Sequence, residues 1–116
     1  MGGGMGIGSF GGTRGARSNY KIHPGKQDKH VEGTSNYNQQ RANGKSPSIL
    51  TEDANRLLRE GAGKGQMKTP TKETVDYGRV IGKYYDEETG KYYDTTRAII
   101  HYDSKGNAHI VPAKPK

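Results

Sequence analysis

A chain of 116 residues with 28% hydrophobic content, one Phe, no Trp and a mean hydropathy of -1.07 supports one small domain with a thin core and excludes two. Its formal net charge of +7 predicts an acidic partner such as a phosphate polymer. With no cysteine it has neither a disulfide framework nor a thiolate metal site, and no apolar run approaches the roughly 18 residues of a membrane span. Residues 1–18, MGGGMGIGSFGGTRGARS, are dominated by glycine and are expected to be a flexible linker or tail. They lack the basic flank and apolar stretch of a signal peptide, and Gly6 stands where a myristoylation pattern wants Ser or Thr. Residues 19–116 are then the domain. They keep +5 of the charge, because the tail contributes only Arg14 and Arg17.

The next stretch, to about Ser48, is polar and punctuated by Pro24, Gly25, Gly33 and Pro47, with one short helix expected over 36–42. Thr51 offers an N-cap, Glu52 and Asp53 suit the positive end of a helix dipole, and Ala54, Leu57 and Leu58 make one apolar stripe ending at Gly61. After the loop GAGKG, residues 75–85 read as a strand, 86–90 as a turn and 91–102 as the antiparallel partner. With 108–112 this gives an α+β fold, a short N-terminal helical region packed on a small antiparallel β-meander.

Asp103-Ser104-Lys105-Gly106 reads as a type I turn closed by a glycine in the left-handed region. If Asp103 pairs with Asn107, then His101 faces His109 and Ile100 faces Ile110. Alternation by two puts Thr95, Arg97, Ile99, His101, His109 and Val111 on one face and Ala98, Ile100, Tyr102, Ala108 and Ile110 on the other. The second face is apolar and should be the core side. Two imidazoles beside an arginine are thereby gathered on an accessible surface, which is what phosphodiester chemistry needs. Ordinary polar residues on a solvated sheet are the plainer explanation of the same pattern.

Other motifs carry less. GAGKG has the wrong glycine-to-lysine spacing for a phosphate loop, no Ser or Thr after Lys64, and a helix where a strand should lead in. The four histidines, His23, His30, His101 and His109, lack cysteine companions and an HExxH helix, so no metal site is expected. Tyr84, Tyr85, Tyr92 and Tyr93 flank one turn and either pack across strands or stack on bases. The carboxylates of 86–88 are most simply a solvated turn.

Three segments, KQDKHVEGTSNYN at 26–38, SILTEDANRLLREGAGKG, and the run from Val75 to Pro115, resemble the polymorphic toxin type 50 domain. The signature elements KH-x-x-GT-x-NY, TTR-x-IIHY and G-x-x-HIVPA-x-P are all present, and the likeness covers roughly residues 20–115. That domain is known as a bacterial effector module and as a C-terminal extension of phage minor head proteins. It is placed with the barnase, EndoU, colicin and RelE-like ribonucleases, in which a helical N-terminal part packs on an antiparallel sheet. The resemblance points to His30, Thr34, Thr96, Arg97, His101 and His109 as site residues without assigning their roles.

The chemistry suggests some roles. Metal-free RNA cleavage needs a base for the 2′-hydroxyl proton, an acid for the leaving 5′-oxygen and a cation for the phosphorane charge. His101 and His109 are the expected acid–base pair, with His30 as the contender for either place, and Arg97 suits the phosphate. Lys29, Lys64, Lys114, Thr34, Thr95 and Thr96 are the candidate substrate contacts. The sequence therefore predicts a metal-independent endoribonuclease toxin with no cofactor, acting on RNA in the cytoplasm. An acidic immunity protein would be its partner, with no membrane contact. Delivery would come by secretion or on a virion, through a phage head or delivery module in a larger parent protein. The alternative is a non-catalytic phage structural or nucleic-acid-binding domain associated with a minor head protein.

Overall fold

A computed structural model describes residues 19–116, so the expected linker at 1–18 lies outside the described residues. The chain begins with a two-residue strand β1 (Lys21–Ile22), the one-turn helix α1 (Pro24–Gln27), a 3-10 turn (Asp28–His30) and helix α2 (Ser35–Ala42). Strand β2 (Ile49–Leu50), helix α3 (Ala54–Gly61), β3 (Gln66–Thr69) and β4 (Lys72–Asp76) follow. The chain closes with β5 (Gly82–Asp86), β6 (Lys91–Thr95), β7 (Arg97–Tyr102) and β8 (Asn107–Pro112).

The fold is α+β, but its strands form two sheets where one meander was expected. One has the order β1-β8-β7-β4-β3 and the other β2-β5-β6. Only the β1–β8 pairing is parallel. The division comes from a bulge. Tyr77 N–H donates to the Thr96 carbonyl and Ile81 N–H to the Thr95 carbonyl, both at 2.9 Å, so three residues of one arm oppose a single step of the other. Such an insertion bends the hairpin and breaks a strand read as continuous from 75 to 85. Gly78 makes the bend with φ +75, its N–H held by the Asp76 carboxylate at 3.0 Å. Arg79 ties the bulge to the helical layer through Glu52 and Glu60 at 2.9 and 2.8 Å.

Helix α3 covers the core face of the larger sheet. Asp53, rather than Thr51, is its N-cap, accepting the Arg56 N–H at 3.1 Å. Ala54, Leu57 and Leu58 pack with Val75, Ile81, Ala98, Ile100, Tyr102, Ala108 and Ile110. Leu57, Ile100 and Ile110 are fully buried, and burying each such side chain contributes about 1.5–3 kcal/mol. The GAGKG loop has a structural duty. The buried Glu73 carboxylate accepts the Gly63 and Gly65 N–H groups at 3.0 and 2.7 Å and the Tyr102 hydroxyl at 2.5 Å. A Cβ on Gly65 would lie 2.1 Å from the Thr74 carbonyl oxygen, so only glycine allows the approach.

Candidate active site

The last hairpin folds in the expected register. Asp103 N–H donates to the Asn107 carbonyl at 2.9 Å, the Asp103 carboxylate takes the Lys105 and Asn107 N–H groups, and Gly106 has φ +84. His101 pairs with His109, and their rings stack with centroids 4.6 Å apart and planes 11° from parallel. Alternation buries Ala98, Ile100, Tyr102, Ala108 and Ile110 and leaves Arg97, Ile99, His101, His109 and Val111 partly exposed on the other face.

Across the β4–β7 ladder Lys72 pairs with His101. Directly paired residues share a face, so Lys72, His101 and His109 form one row over three strands about 4.8 Å apart. Beyond β8 the row is extended by the N-terminal helices. Strand β1 covers β8 only at Asn107 and Ala108. Past that point the buried Gln27 side chain replaces a strand: Nε2 donates to the Ile110 carbonyl at 2.9 Å and Oε1 accepts the Ile110 N–H at 2.7 Å. This amide pins α1 and the 3-10 turn to the edge next to His109. His23 caps α1 by accepting the Lys26 N–H at 3.2 Å, and His23 and Lys26 line a hollow against both stacked imidazoles.

His30 is held from the other side. Its Nδ1 lies 2.9 Å from the Ser48 carbonyl oxygen. A carbonyl only accepts, so Nδ1 carries the hydrogen and the neutral ring keeps its lone pair on Nε2. Thr34 secures the turn bearing His30: its hydroxyl donates to the Asp28 and Val31 carbonyls at 2.6 and 2.9 Å and accepts the Tyr37 N–H at 3.1 Å as the N-cap of α2.

The imidazoles of His30, His101 and His109 are each pushed toward the neutral form. Burial drives the His109 pKa down to about 4, reinforced by the charges of His101, His30, Lys26 and His23. Burial also lowers His101, with Lys72, His30 and Lys26 adding to it. His30 is lowered by burial and by Lys29, against the opposing Ser48 bond. Among the described residues neither His101 nor His109 has a protein hydrogen bond, and no buried side-chain nitrogen is left unpartnered, so their ring nitrogens open to solvent. The result is a solvent-facing set of basic groups with no carboxylate salt bridge among the described residues, a surface suited to an anion.

The structure separates some residues that the sequence places together. Arg97 shares the face of His101 but lies four residues along β7, about 13 Å at the usual strand rise, opposite Asp76. The cations acting on the imidazoles are Lys72 and Lys26 instead. Thr95 is not on the accessible face. The corner turns it inward, where it is buried and its hydroxyl donates to the Ala113 carbonyl at 2.7 Å. Thr96 sits at the same corner. Its hydroxyl joins the Gly78 N–H, the larger influence, in holding the Asp76 carboxyl below its usual range. The Thr34 hydroxyl is committed to backbone partners. Lys29 is exposed near His30, Lys64 is exposed in the loop held by Glu73, and Lys114 lines a separate cleft with Ser48 and Tyr84.

Sequence reasoning missed Lys26, Gln27, Ser48 and Lys72. Lys72 was findable only with the β4–β7 register, which the bulge obscures, and the Gln27–Ile110 pairing joins positions 83 residues apart with no local signal. Among the described residues no three or more His, Cys, Asp or Glu side chains gather as metal ligands.

These features define a small, basic α+β domain with a cationic, histidine-lined sheet face. The family described as bacterial toxin 50 matches residues 22–112, and the chain belongs to it. Its general function is that of a toxin. No curated protein and no solved structure matches the chain.

Proposed function

We propose that this toxin domain is a metal-independent endoribonuclease. The observation that carries the proposal is the stacked His101–His109 pair, open to solvent and flanked by Lys72 and Lys26. Two parallel imidazoles present their nitrogens side by side, so a phosphodiester lying across them reaches one ring through its 2′-hydroxyl and the other through its 5′-oxygen. His109, the more strongly neutral of the two, takes the 2′-hydroxyl proton as base. The 2′-oxygen bonds to phosphorus, the P–O5′ bond breaks, and His101 donates its proton to the departing 5′-oxygen. The products are a 2′,3′-cyclic phosphate and a 5′-hydroxyl end.

Lys72 and Lys26 offset the phosphorane charge, the part given to Arg97 on sequence grounds, while Arg97 holds a phosphate further along the strand. His30, with its free Nε2 lone pair, hydrogen-bonds the substrate beside the pair. Thr34 acts as a positioning residue for His30, and Lys29 and Lys114 supply outlying phosphate contacts. Expression of the chain in bacteria, with growth and total RNA integrity followed together, tests the proposal. RNA should fragment with the native sequence and stay intact with His101→Ala or His109→Ala. Intact RNA with every version, together with salt-sensitive RNA binding, would favour the non-catalytic alternative.

A further inference from the structure

We infer that His23 is a further substrate-contacting residue, donating a hydrogen bond from Nε2 to an oxygen of the phosphate bound at the histidine pair, an inference that rests on the nuclease proposal above. The parallel strand brings it there. Lys21 and Ile22 of β1 pair with Asn107 and Ala108 of β8, and His23 continues the run with extended backbone, φ -86 and ψ 107, its N–H donating to the Ala108 carbonyl at 2.8 Å. The next step of that register sets His23 beside His109. Ile22 packs against the core, so alternation turns His23 to the opposite face, the one that carries the imidazoles. Lys72, His101, His109 and His23 therefore make one row from four segments of the chain.

Pro24 makes His23 a cap. A proline keeps the residue before it extended and opens a helix at its first position, so His23 becomes the N-cap of α1. Its Nδ1 accepts the Lys26 N–H at 3.2 Å, and a ring nitrogen that accepts carries no hydrogen, which leaves the hydrogen on Nε2. His30 is the reverse case, with the hydrogen held on Nδ1 by the Ser48 carbonyl and the lone pair on Nε2. The row thus ends in a donor whose tautomer the helix start sets. Among the described residues His23 Nε2 has no protein hydrogen bond, and no buried side-chain nitrogen is left unpartnered, so it opens to solvent.

The hollow that His23 and Lys26 form against His101 and His109 has a volume of about 50 Å³. A water takes up about 30 Å³, so the hollow admits a phosphate oxygen and is too small for a nucleobase. Its one carboxylate, Asp103, is already bound to the Lys105 and Asn107 N–H groups at 2.8 and 2.9 Å. The groups that remain are the imidazoles and Lys26, which suit an anionic oxygen. His23 lies near enough for its charge to act on His109.

The test uses the full chain, imidazole nitrogen NMR and an uncleavable 2′-deoxy dinucleoside monophosphate. In the free protein the neutral His23 ring should carry its hydrogen on Nε2, and the dinucleotide should shift the Nε2 signal while Nδ1 stays on its cap. His23→Asn keeps a side chain that caps a helix well but removes the Nε2 donor. It should leave the urea midpoint unchanged and weaken dinucleotide binding by about 10-fold or more, the scale of a hydrogen bond to a charged group. An Nε2 signal indifferent to the ligand, native affinity in His23→Asn, or an affinity loss matched by a lower urea midpoint would reduce His23 to a helix cap and overturn the inference. Ligand contact at Nε2 in a protein that cuts no RNA would retain the His23 contact and remove the nuclease proposal. RNA cleavage at the native rate by His23→Asn, with native affinity, would do the reverse.

Discussion

His101 and His109 stack 4.6 Å apart within 11° of parallel, so a proton on one ring acts directly against a proton on the other. Burial has already lowered both, His109 to about 4. In the unfolded chain the same side chains titrate near 6.5. Between about 4 and 6.5 the unfolded state therefore binds more protons, and stability falls as the pH drops through this window. Urea unfolding midpoints should decline on acidification across that range, and His109→Phe should flatten the decline. A midpoint that rises on acidification in the native protein would contradict the assignment.

Catalysis carries a related signature. Turnover needs His109 neutral and His101 charged, so the free-enzyme profile of kcat/KM should be bell-shaped with its optimum between about 4 and 6.5. A bound phosphodiester favours the charged imidazole and should move the kcat profile upward. The two limbs belong to the coupled pair rather than to single residues. An optimum of kcat/KM above pH 7 would contradict this division of labour.

Lys72→Ala and Arg97→Ala separate the cation that the strand register brings to the histidines from the one the sequence points to. Lys72 pairs with His101, while Arg97 sits beside Asp76. Lys72→Ala should lower turnover by about 10-fold or more, as loss of charge stabilisation at the reacting phosphate does. Arg97→Ala should chiefly weaken RNA binding and reduce its salt dependence. Steady-state kinetics at two ionic strengths distinguish the pair, and the opposite ranking would restore the arginine to the reacting phosphate.

Gln27→Leu removes the amide that completes the edge of β8 and leaves the Ile110 N–H and carbonyl unpaired in a buried place. Unfolding free energy should drop by about 2–4 kcal/mol, the cost of abandoning two buried polar groups. Ser104→Ala, at an exposed turn position, should be nearly silent. Equal effects in denaturant titrations would show that the edge is closed by something other than the glutamine.

The hairpin 103–106, the His101–His109 register and the buried face of β7 and β8 were legible because turn chemistry and a period of two are local signals. Helix α3 was legible for the same reason, apart from a cap two residues later at Asp53. The division into two sheets was not. A three-residue bulge at 78–80 looks in sequence like a glycine inside one long strand, and only pairing with 95–96 reveals the corner. That hidden corner also misled the placement of Thr95, which the period of two projects onto the histidine face. Strands β1 and β3 escaped notice because one has two residues and the other carries a single apolar side chain, Met67. The family motifs marked His30 and Thr34, whereas their separate duties, an imidazole held by Ser48 and a hydroxyl spent on a cap, required tertiary contacts.

The most direct test of the central claim is the fate of a short RNA whose phosphorus is followed by NMR in the presence of EDTA. The account predicts a 2′,3′-cyclic phosphate as first product, no reaction when the attacking 2′-hydroxyl is replaced by hydrogen, and a loss of about 10²-fold or more in rate for His101→Ala and His109→Ala. RNA affinity should change far less than rate in both variants. Cleavage of the 2′-deoxy substrate, or native rates in both histidine variants, would contradict it.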